Sequence, residues 1–177
     1  TRRSYISRDS CCAENGDMSD RTERVELTVM VMVTQEGTDH VVVQERRKGS
    51  WDELIFPGGH LGRGESLACA AVREVKEETG LDVSRLRCCG VVHWSHRTRA
   101  ERYLAVLYRA EAEGELLPAT EEGRNFWMPI AEFRAAEGKS PAMDEYLTCF
   151  LGEAGELFAE YDEDGTDPLV RQKERER

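Results

Sequence analysis

The sequence predicts a mixed α/β or α+β domain built around a mixed β-sheet. Three observations lead to this fold class. Alternating apolar segments typical of strands come first, a capped helical segment interrupts them, and further strands and a last helical pattern follow. A length of 177 residues suits one domain. An apolar fraction of 40% is enough to form its core.

We divide the chain into an N-terminal arm over residues 1–24, a domain over residues 25–160 and a charged C-terminal tail over residues 161–177. The arm is polar and lacks sustained periodicity, so we expect it to be flexible. The chain does not begin with Met, and Met18 precedes the first apolar segment. Residues 1–17 are therefore left out of the fold prediction.

The first two strands form a predicted hairpin. Valine and leucine alternate with other residues over residues 25–33, and Met30 and Met32 make the opposite face apolar as well. A strand that is apolar on both faces is expected at the centre of a sheet that is covered on both sides. A polar turn over residues 35–39 leads to a second strand over residues 41–44.

The clearest helix is predicted over residues 66–79. Ser66 is a candidate N-cap, and Gly80 suits the left-handed position that follows a last helical turn. Strands are expected in three later segments, namely residues 81–94 (as one strand or two), 103–110 and 125–128.

Two further helices are predicted towards the C-terminus. Pro129 can begin a short helix that ends at Phe133. A long helical pattern covers residues 143–158. Its apolar set is Tyr146, Leu147, Phe150, Leu151, Leu157 and Phe158. The tail from Asp162 onwards is charged, and we expect it to be loose.

Composition excludes several classes of protein. The formal net charge of −11 argues against binding of a nucleic acid polymer, which needs a basic surface. No apolar run approaches the ~20 residues that span a membrane, and no apolar stretch follows the first residues as in a secretory signal. The six cysteines show no C-x-x-C or zinc-ligand spacing, which favours free thiols in a reducing compartment. We therefore expect a cytoplasmic protein, either a monomer or a homodimer.

Three carboxylates share one face of the predicted helix. At 100° per residue, Glu74, Glu77 and Glu78 fall within an arc of about 100° beside the apolar stripe. They lie in the last two turns, where the helix dipole disfavours negative charge. A hard divalent cation such as Mg²⁺ or Mn²⁺ would explain this arrangement. The alternative is a solvated acidic face in which Arg73 pairs with Glu77.

The segment in front of the helix favours the metal site. Pro57-Gly58-Gly59 supplies a turn whose backbone can approach a ligand closely. Glu65 follows Gly59 after five residues and comes directly before the candidate N-cap. Glycines, a loop and a helix that carries carboxylates together indicate a site for pyrophosphate and metal.

The same segment resembles the Nudix box, G-x5-E-x7-R-E-U-x-E-E-x-G-U, in which U is aliphatic. Every fixed position is filled, by Gly59, Glu65, Arg73, Glu74, Val75, Glu77, Glu78, Gly80 and Leu81. The resemblance extends over roughly residues 25–160 and implies the α/β/α sandwich of that family, with a mixed sheet. It also implies hydrolysis of a nucleoside diphosphate linked to another group, with Mg²⁺ as cofactor and Mn²⁺ as a possible substitute.

The resemblance assigns roles to individual residues. Glu74, Glu77 and Glu78 would bind the metal, together with a backbone carbonyl of Gly58 or Gly59. Arg73 would orient the loop and the helix by pairing with Glu65. A further glutamate in a later loop binds metal or acts as a base in relatives, and Glu122 is the candidate here, with Glu121 beside it. Glu77, Glu78 or Glu122 could take the proton of the attacking water.

The substrate is expected to be a small nucleotide. The chain looks most similar to bacterial MutT-type 8-oxo-dGTP diphosphatases, which release pyrophosphate and a monophosphate. Arg46 and Arg63 are candidates for phosphate contacts, Trp51 and Phe126 for stacking on a purine, and Asn125 for reading its edge. Two alternatives stay open. One is a pyrophosphatase for ADP-ribose, a nucleotide sugar or a dinucleotide, and the other is a nucleotide sensor without catalysis.

Overall fold

A computed structural model of the chain describes residues 22–48, 51–167 and 169–171. Eleven strands and three helices occur in these ranges. The strands are β1 (Arg24–Gln35), β2 (His40–Lys48), β3 (Trp51–Ile55), β4 (Gly58–His60), β5 (Asp82–His96), β6 (Glu101–Glu113), β7 (Ala119–Thr120), β8 (Gly123–Pro129), β9 (Glu156–Asp162), β10 (Gly165–Thr166) and β11 (Val170–Arg171). The helices are α1 (Leu67–Thr79), α2 (Ile130–Ala135) and α3 (Met143–Phe150). Most of the predicted arm, residues 1–21, lies outside the described residues.

The strands form one mixed sheet in the order β10-β9-β5-β6-β1-β2-β8-β7. Strand β1 pairs in parallel with β6 along its whole length and antiparallel with β4 and β2. Strand β3 pairs with β2, and β11 with β9. The prediction of a central first strand is confirmed, because Val31 and Met32, on opposite faces of β1, are both fully buried.

Each face of the sheet carries its own apolar core. On one face, β1 packs against α1 through Val31, Ala71 and Val75. On the other face, α2 and α3 cover the sheet, and Phe56 lies 4.6 Å from Phe133 and 5.3 Å from Phe150 between ring centroids. The layers are therefore helix, sheet and helices, which confirms the predicted α/β/α sandwich.

The predicted boundaries of the first helix are confirmed. The Ser66 hydroxyl accepts a hydrogen bond from the Cys69 amide at 3.2 Å, as an N-cap should. Gly80 has φ of 76°, and its amide donates to the Lys76 carbonyl. Only glycine adopts this conformation without strain, which explains why the helix ends there. This end of α1 carries the acidic residues of interest.

The predicted helix over residues 143–158 is wrong in its second half. Helix α3 ends at Phe150, and Gly152 takes a left-handed φ of 77°. Leu157 lies in β9, which pairs in parallel with β5. The error arose because Leu157 continues the helical spacing of α3, although its burial is also compatible with a strand.

The region beyond Asp162, which was expected to be loose, contains two short strands. Strand β10 pairs with Tyr161 and Asp162, and β11 pairs with Leu157 and Phe158. Residues 172–177 lie outside the described residues. The predicted segment over residues 81–94 is one strand, β5, which is interrupted by two irregularities in its pairing with β6.

Two expectations about membranes and cysteines can be compared with the structure. Among the described residues, no helix is both long and apolar enough to cross a membrane. The four cysteines in the described ranges are free thiols, namely Cys69, Cys88, Cys89 and Cys149. Cys11 and Cys12 lie outside these ranges.

Candidate active site

The Glu78 carboxylate is the centre of the site. Glu78 lies in the last turn of α1 and is only 6% exposed. Its Oε2 accepts a hydrogen bond from the Gly58 amide at 3.1 Å, and its Oε1 lies 3.2 Å from Nη2 of Arg46. Strands β4 and β2 therefore hold one buried carboxylate from both sides.

Burial changes the ionisation of this carboxyl group. Loss of solvation is the main cause that raises the pKa of Glu78 from 4.5 to about 7. The Gly58 hydrogen bond and the positive charge of Arg46 lower this pKa, whereas Glu74 and Glu122 raise it. A buried anion that is only partly compensated is stabilised by a bound cation.

The glycine pair brings β4 close to the helix. A Cβ atom on Gly59 would lie 2.6 Å from Oε1 of Glu74, so no larger residue fits without moving that carboxylate. Backbone hydrogen bonds join Val31 to Pro57 and Leu61 to Leu27. Antiparallel bonding alternates along the strand, so it directs the amide and carbonyl of Gly58 away from β1. The Gly58 carbonyl, and not that of Gly59, is therefore available at the site.

Arg73 orders the other carboxylates. Its Nε and Nη2 donate to the two oxygens of Glu65 at 2.9 Å each, in a bidentate pair. Its Nη1 lies 2.9 Å from Glu74 and 3.0 Å from Glu77, and Nη2 also donates to the His60 carbonyl. Arg73 therefore ties the loop before the helix to two carboxylates on the helix. The pair with Glu65 is the one that the family resemblance implies, whereas the pair with Glu77 is the one expected of a solvated acidic face.

The bidentate pair also changes the acidity of Glu65. The hydrogen bonds from Arg73 are the largest cause that lowers the pKa of Glu65 from 4.5 to about 2, and the Gly62 amide adds to the effect. Glu65 in turn raises the pKa of Arg73. Both groups stay charged throughout the neutral range, so the pair can act as a fixed support for Glu74 and Glu77.

Arg46 connects the helix to the turn between β7 and β8. Strand β2 pairs with β8 so that Arg46 is opposite Gly123, which brings Glu122 alongside. Nη2 of Arg46 lies 3.4 Å from Glu122 as well as 3.2 Å from Glu78. The structure therefore brings Glu122, a candidate 44 positions after Glu78 in the chain, to the predicted cluster.

Asn125 has a different position from the predicted one. Its side chain is buried, and its Nδ2 donates to the carbonyls of Glu78 at 2.7 Å and Leu117 at 3.2 Å. Both amide hydrogens are therefore used within the protein, which leaves no donor to read a purine edge. Asn125 instead fixes the backbone of Glu78, as a buried polar group with satisfied hydrogen bonds does.

The remaining substrate candidates are not part of the carboxylate cluster. Phe126 is half-buried and packs on the core of the opposite sheet face, with α2 and α3. Arg63 is exposed in the loop before α1. Trp51 begins β3, and its side chain lies outside the described part of the structure. Phe126 therefore contributes to the core. Arg63 lies on the loop beside α1.

Sequence reasoning missed Gln44. This side chain is fully buried, and its Oε1 accepts a hydrogen bond from Nε of Arg46 at 3.2 Å. Gln44 thus aims Arg46 at the two carboxylates. A signal was present, because Gln44 directly follows three valines of the same strand, where a polar residue must have a buried partner.

The donor set suits a hard divalent cation, although the carboxylates are now paired with arginine. Glu74, Glu77, Glu78 and the Gly58 carbonyl are oxygen donors on one side of α1, the type that Mg²⁺ prefers. In the described ranges, no three His, Cys, Asp or Glu side chains already converge closely enough to hold an ion. The guanidinium groups of Arg73 and Arg46 lie between the carboxylates, so positive charge already occupies this space.

The chain matches the model of a known protein family. A model described as "NUDIX domain" matches residues 25–148. Two curated proteins of Arabidopsis thaliana are similar to the chain. Nudix hydrolase 5 is 28% identical over 113 residues, which cover 60% of this chain and 37% of that protein. Nudix hydrolase 8 is 32% identical over 101 residues, which cover 52% and 26%. The chain therefore spans well under half the length of these relatives.

Solved structures show the same fold. A MutT protein from Bacillus halodurans superimposes with a TM-score of 0.65 at 21% identity, covering 82% of this chain and 96% of that one. A NUDIX hydrolase from Nitrosomonas europaea gives a TM-score of 0.60 at 27% identity, covering 73% and 90%. These similarities support the assigned fold.

Proposed function

The chain belongs to the NUDIX domain family, and from this premise we propose that it is a Mg²⁺-dependent hydrolase of nucleoside polyphosphates. The first candidate substrate is 8-oxo-dGTP or a related purine nucleoside triphosphate, cleaved to the monophosphate and pyrophosphate. Two observations support this choice. The chain shares its fold with MutT proteins, and its sequence resembles that group. Mn²⁺ is a possible substitute for Mg²⁺.

One observation carries the proposal. Glu78 is a buried carboxylate with incomplete compensation of its charge, held between a backbone amide and an arginine, and the charges of Glu74 and Glu122 act on it. A surface acidic patch would not need to bury its central member. A site that takes up a cation explains both the burial and the position at the C-terminal end of α1.

Each residue of the site has a defined task in this proposal. Glu74, Glu77, Glu78 and the Gly58 carbonyl would hold the metal, which when bound neutralises phosphate oxygens and makes a water molecule more acidic. Arg73 and Glu65 hold the helix and the loop before it in a fixed relative position. Glu122 is half-exposed at the edge of the cluster, where it can reach solvent water and accept its proton.

The phosphate chain would lie along the arginines of the site. Arg46 is 27% exposed in its side chain, and it can turn from the carboxylates towards a bound anion. Arg63 adds a second positive charge from the loop before α1. Binding of a negatively charged substrate to a chain of net charge −11 requires such local positive charge.

A substrate panel tests the proposed activity. Turnover of 8-oxo-dGTP, dGTP, ADP-ribose and a nucleotide sugar is measured with Mg²⁺, and products are identified by chromatography. We expect the oxidised purine triphosphate to give the highest kcat/KM and to release pyrophosphate. A clear preference for ADP-ribose would contradict the assignment to purine triphosphates. Tight binding without turnover of any compound would contradict catalysis and support a sensing role.

A further inference from the structure

Arg46 satisfies two acidic residues at once. Its Nη2 lies 3.2 Å from Glu78 and 3.4 Å from Glu122, which come from α1 and from the turn between β7 and β8. Its Nε is held by Gln44. One guanidinium group thus closes the gap between two carboxylates that are assigned to metal binding or to proton transfer.

Arg46 contacts the oxygen of Glu78 that is most open to a bound cation. Gly58 already donates to Oε2, and Asn125 fixes the Glu78 backbone, so the carboxylate is rigid. Oε1 accepts no hydrogen bond from Gly58, so it is the oxygen more open to a cation, and it is the atom that faces Arg46. Mg²⁺ binds an oxygen ligand at about 2.1 Å. Two positive groups cannot share Oε1 at such distances without strong repulsion.

Of the two arginines at the cluster, Arg46 is the one that can leave. Arg73 makes five hydrogen bonds, two of them a bidentate pair with Glu65. Arg46 holds its carboxylates through a single nitrogen, Nη2, at 3.2 and 3.4 Å. The Arg46 side chain is 27% exposed whereas Glu78 is buried, so Arg46 can turn towards solvent only when another cation compensates Glu78 in its place.

We propose that Arg46 is an internal counter-cation that competes with the divalent metal for Glu78 and Glu122. Arg46 leaves these carboxylates when they take up the metal, and its guanidinium group then pairs with a substrate phosphate. Arg46 partly compensates the buried Glu78 in the metal-free protein, and metal uptake frees its guanidinium group to bind phosphate. This inference rests on the proposed function of the site.

The test measures two affinities, which the loss of Arg46 should change in opposite directions. Mn²⁺ binding to the full chain is measured by electron paramagnetic resonance, first alone and then with inorganic pyrophosphate at saturating Mn²⁺. We expect Arg46→Gln to bind Mn²⁺ about three- to tenfold more tightly than the wild type, because a competing charge is lost. We expect the same variant to bind pyrophosphate about tenfold more weakly, because a phosphate partner is lost.

A matched control separates competition from net charge. Arg124→Gln removes the same charge from the neighbouring strand β8, where Arg124 pairs with Glu45 outside the carboxylate cluster. Its Mn²⁺ and pyrophosphate affinities should equal those of the wild type. Thermal unfolding of each variant verifies that the fold is retained.

The outcomes distinguish this inference from the proposed function. If Arg46→Gln binds both Mn²⁺ and pyrophosphate more weakly while the wild type hydrolyses nucleotides, Arg46 merely positions Glu78 and the inference is overturned. If Arg124→Gln tightens Mn²⁺ binding as much as Arg46→Gln does, the effect is one of net charge and the inference is overturned as well. If the wild type binds no Mn²⁺, with or without pyrophosphate, the proposed function also fails.

Discussion

At the scale of single residues, burial opposes ionisation of Glu78 in the metal-free protein. Its pKa of about 7 in the folded state exceeds the ordinary value of 4.5. A raised carboxyl pKa means that the folded state binds the proton more tightly than the unfolded state does. The cost of ionising Glu78 is therefore complete above pH 7, decreases as the pH falls, and is absent well below pH 4.5.

The raised pKa of Glu78 leads to a prediction for the stability of Glu78→Gln. The neutral side chain removes the cost, so the metal-free variant should be more stable than the wild type at pH 8 by on the order of 1–3 kcal/mol. The advantage should shrink as the pH is lowered from 7 to 4.5. Urea unfolding with a chelator at pH 8, 7, 6 and 5 measures it. A variant less stable than the wild type at pH 8 would show that the buried carboxylate is fully compensated.

At the same scale, Asn125 shows what the sequence could not reveal. An asparagine in a predicted strand near a glycine turn is compatible with a ligand contact or with a buried structural bond. The outcome depends on the side of β8 that faces α1, and on the approach of the Glu78 and Leu117 carbonyls from elements distant in the chain. Such tertiary contacts leave no local pattern.

At the scale of elements, the close approach of β4 to α1 positions Glu74. Gly59→Ala would place its Cβ atom 2.6 Å from the Glu74 carboxylate. Glu74 is also held by Arg73, so relieving the steric clash requires displacement of both side chains. We expect a loss of kcat of about a hundredfold, since displacements near 1 Å have effects of this size.

The matched control for this variant is Gly37→Ala. Gly37 has φ of 73° in the turn between β1 and β2, and a Cβ atom there meets no neighbour within 4 Å. Its substitution should lower stability by roughly 1 kcal/mol through backbone strain while kcat is unchanged. Steady-state kinetics and thermal unfolding of both variants are compared. Normal kcat in Gly59→Ala would contradict the positioning of Glu74 by β4.

Elements with local signals were predicted well. Helix α1 has its N-cap at Ser66, its left-handed end at Gly80 and a regular apolar stripe between them, so both ends agree with the structure. The segment after α3 was not predicted, because Leu157 suits a helix and a strand equally. The pairing of β9 with β5 decides between them, and pairing partners more than sixty positions apart are invisible in a short window.

At the scale of the whole molecule, the sheet brings the residues of the candidate site together from segments that are distant in the chain. The Arg46 strand, the C-terminal end of α1 and the Glu122 turn meet because β2 lies between β1 and β8. The family match ends at residue 148, whereas β9, β10 and β11 extend the sheet beyond β5 at the opposite edge. This extension lies away from the carboxylate cluster, and the residues assigned to the candidate site all lie within the matched region.

The membership of the family and the layered fold could be predicted from the sequence because one segment, from Gly59 to Leu81, carries both the spacing of the Nudix box and the caps of α1. The bridge from Glu78 through Arg46 to Glu122 could not, since it depends on the register of β2 against β8. Charge patterns indicate which residues attract a cation, and only the fold determines which of them meet.

We propose that the glutamates at the end of α1 form a metal-dependent hydrolytic site. Its most direct test is the rate of nucleoside triphosphate hydrolysis with Mg²⁺ by Glu78→Gln, with Glu132→Gln on the exposed face of α2 as the control. We predict that Glu78→Gln loses roughly three orders of magnitude in kcat while remaining folded, and that Glu132→Gln keeps the wild-type rate. Hydrolysis at near wild-type rate by folded Glu78→Gln would contradict this account.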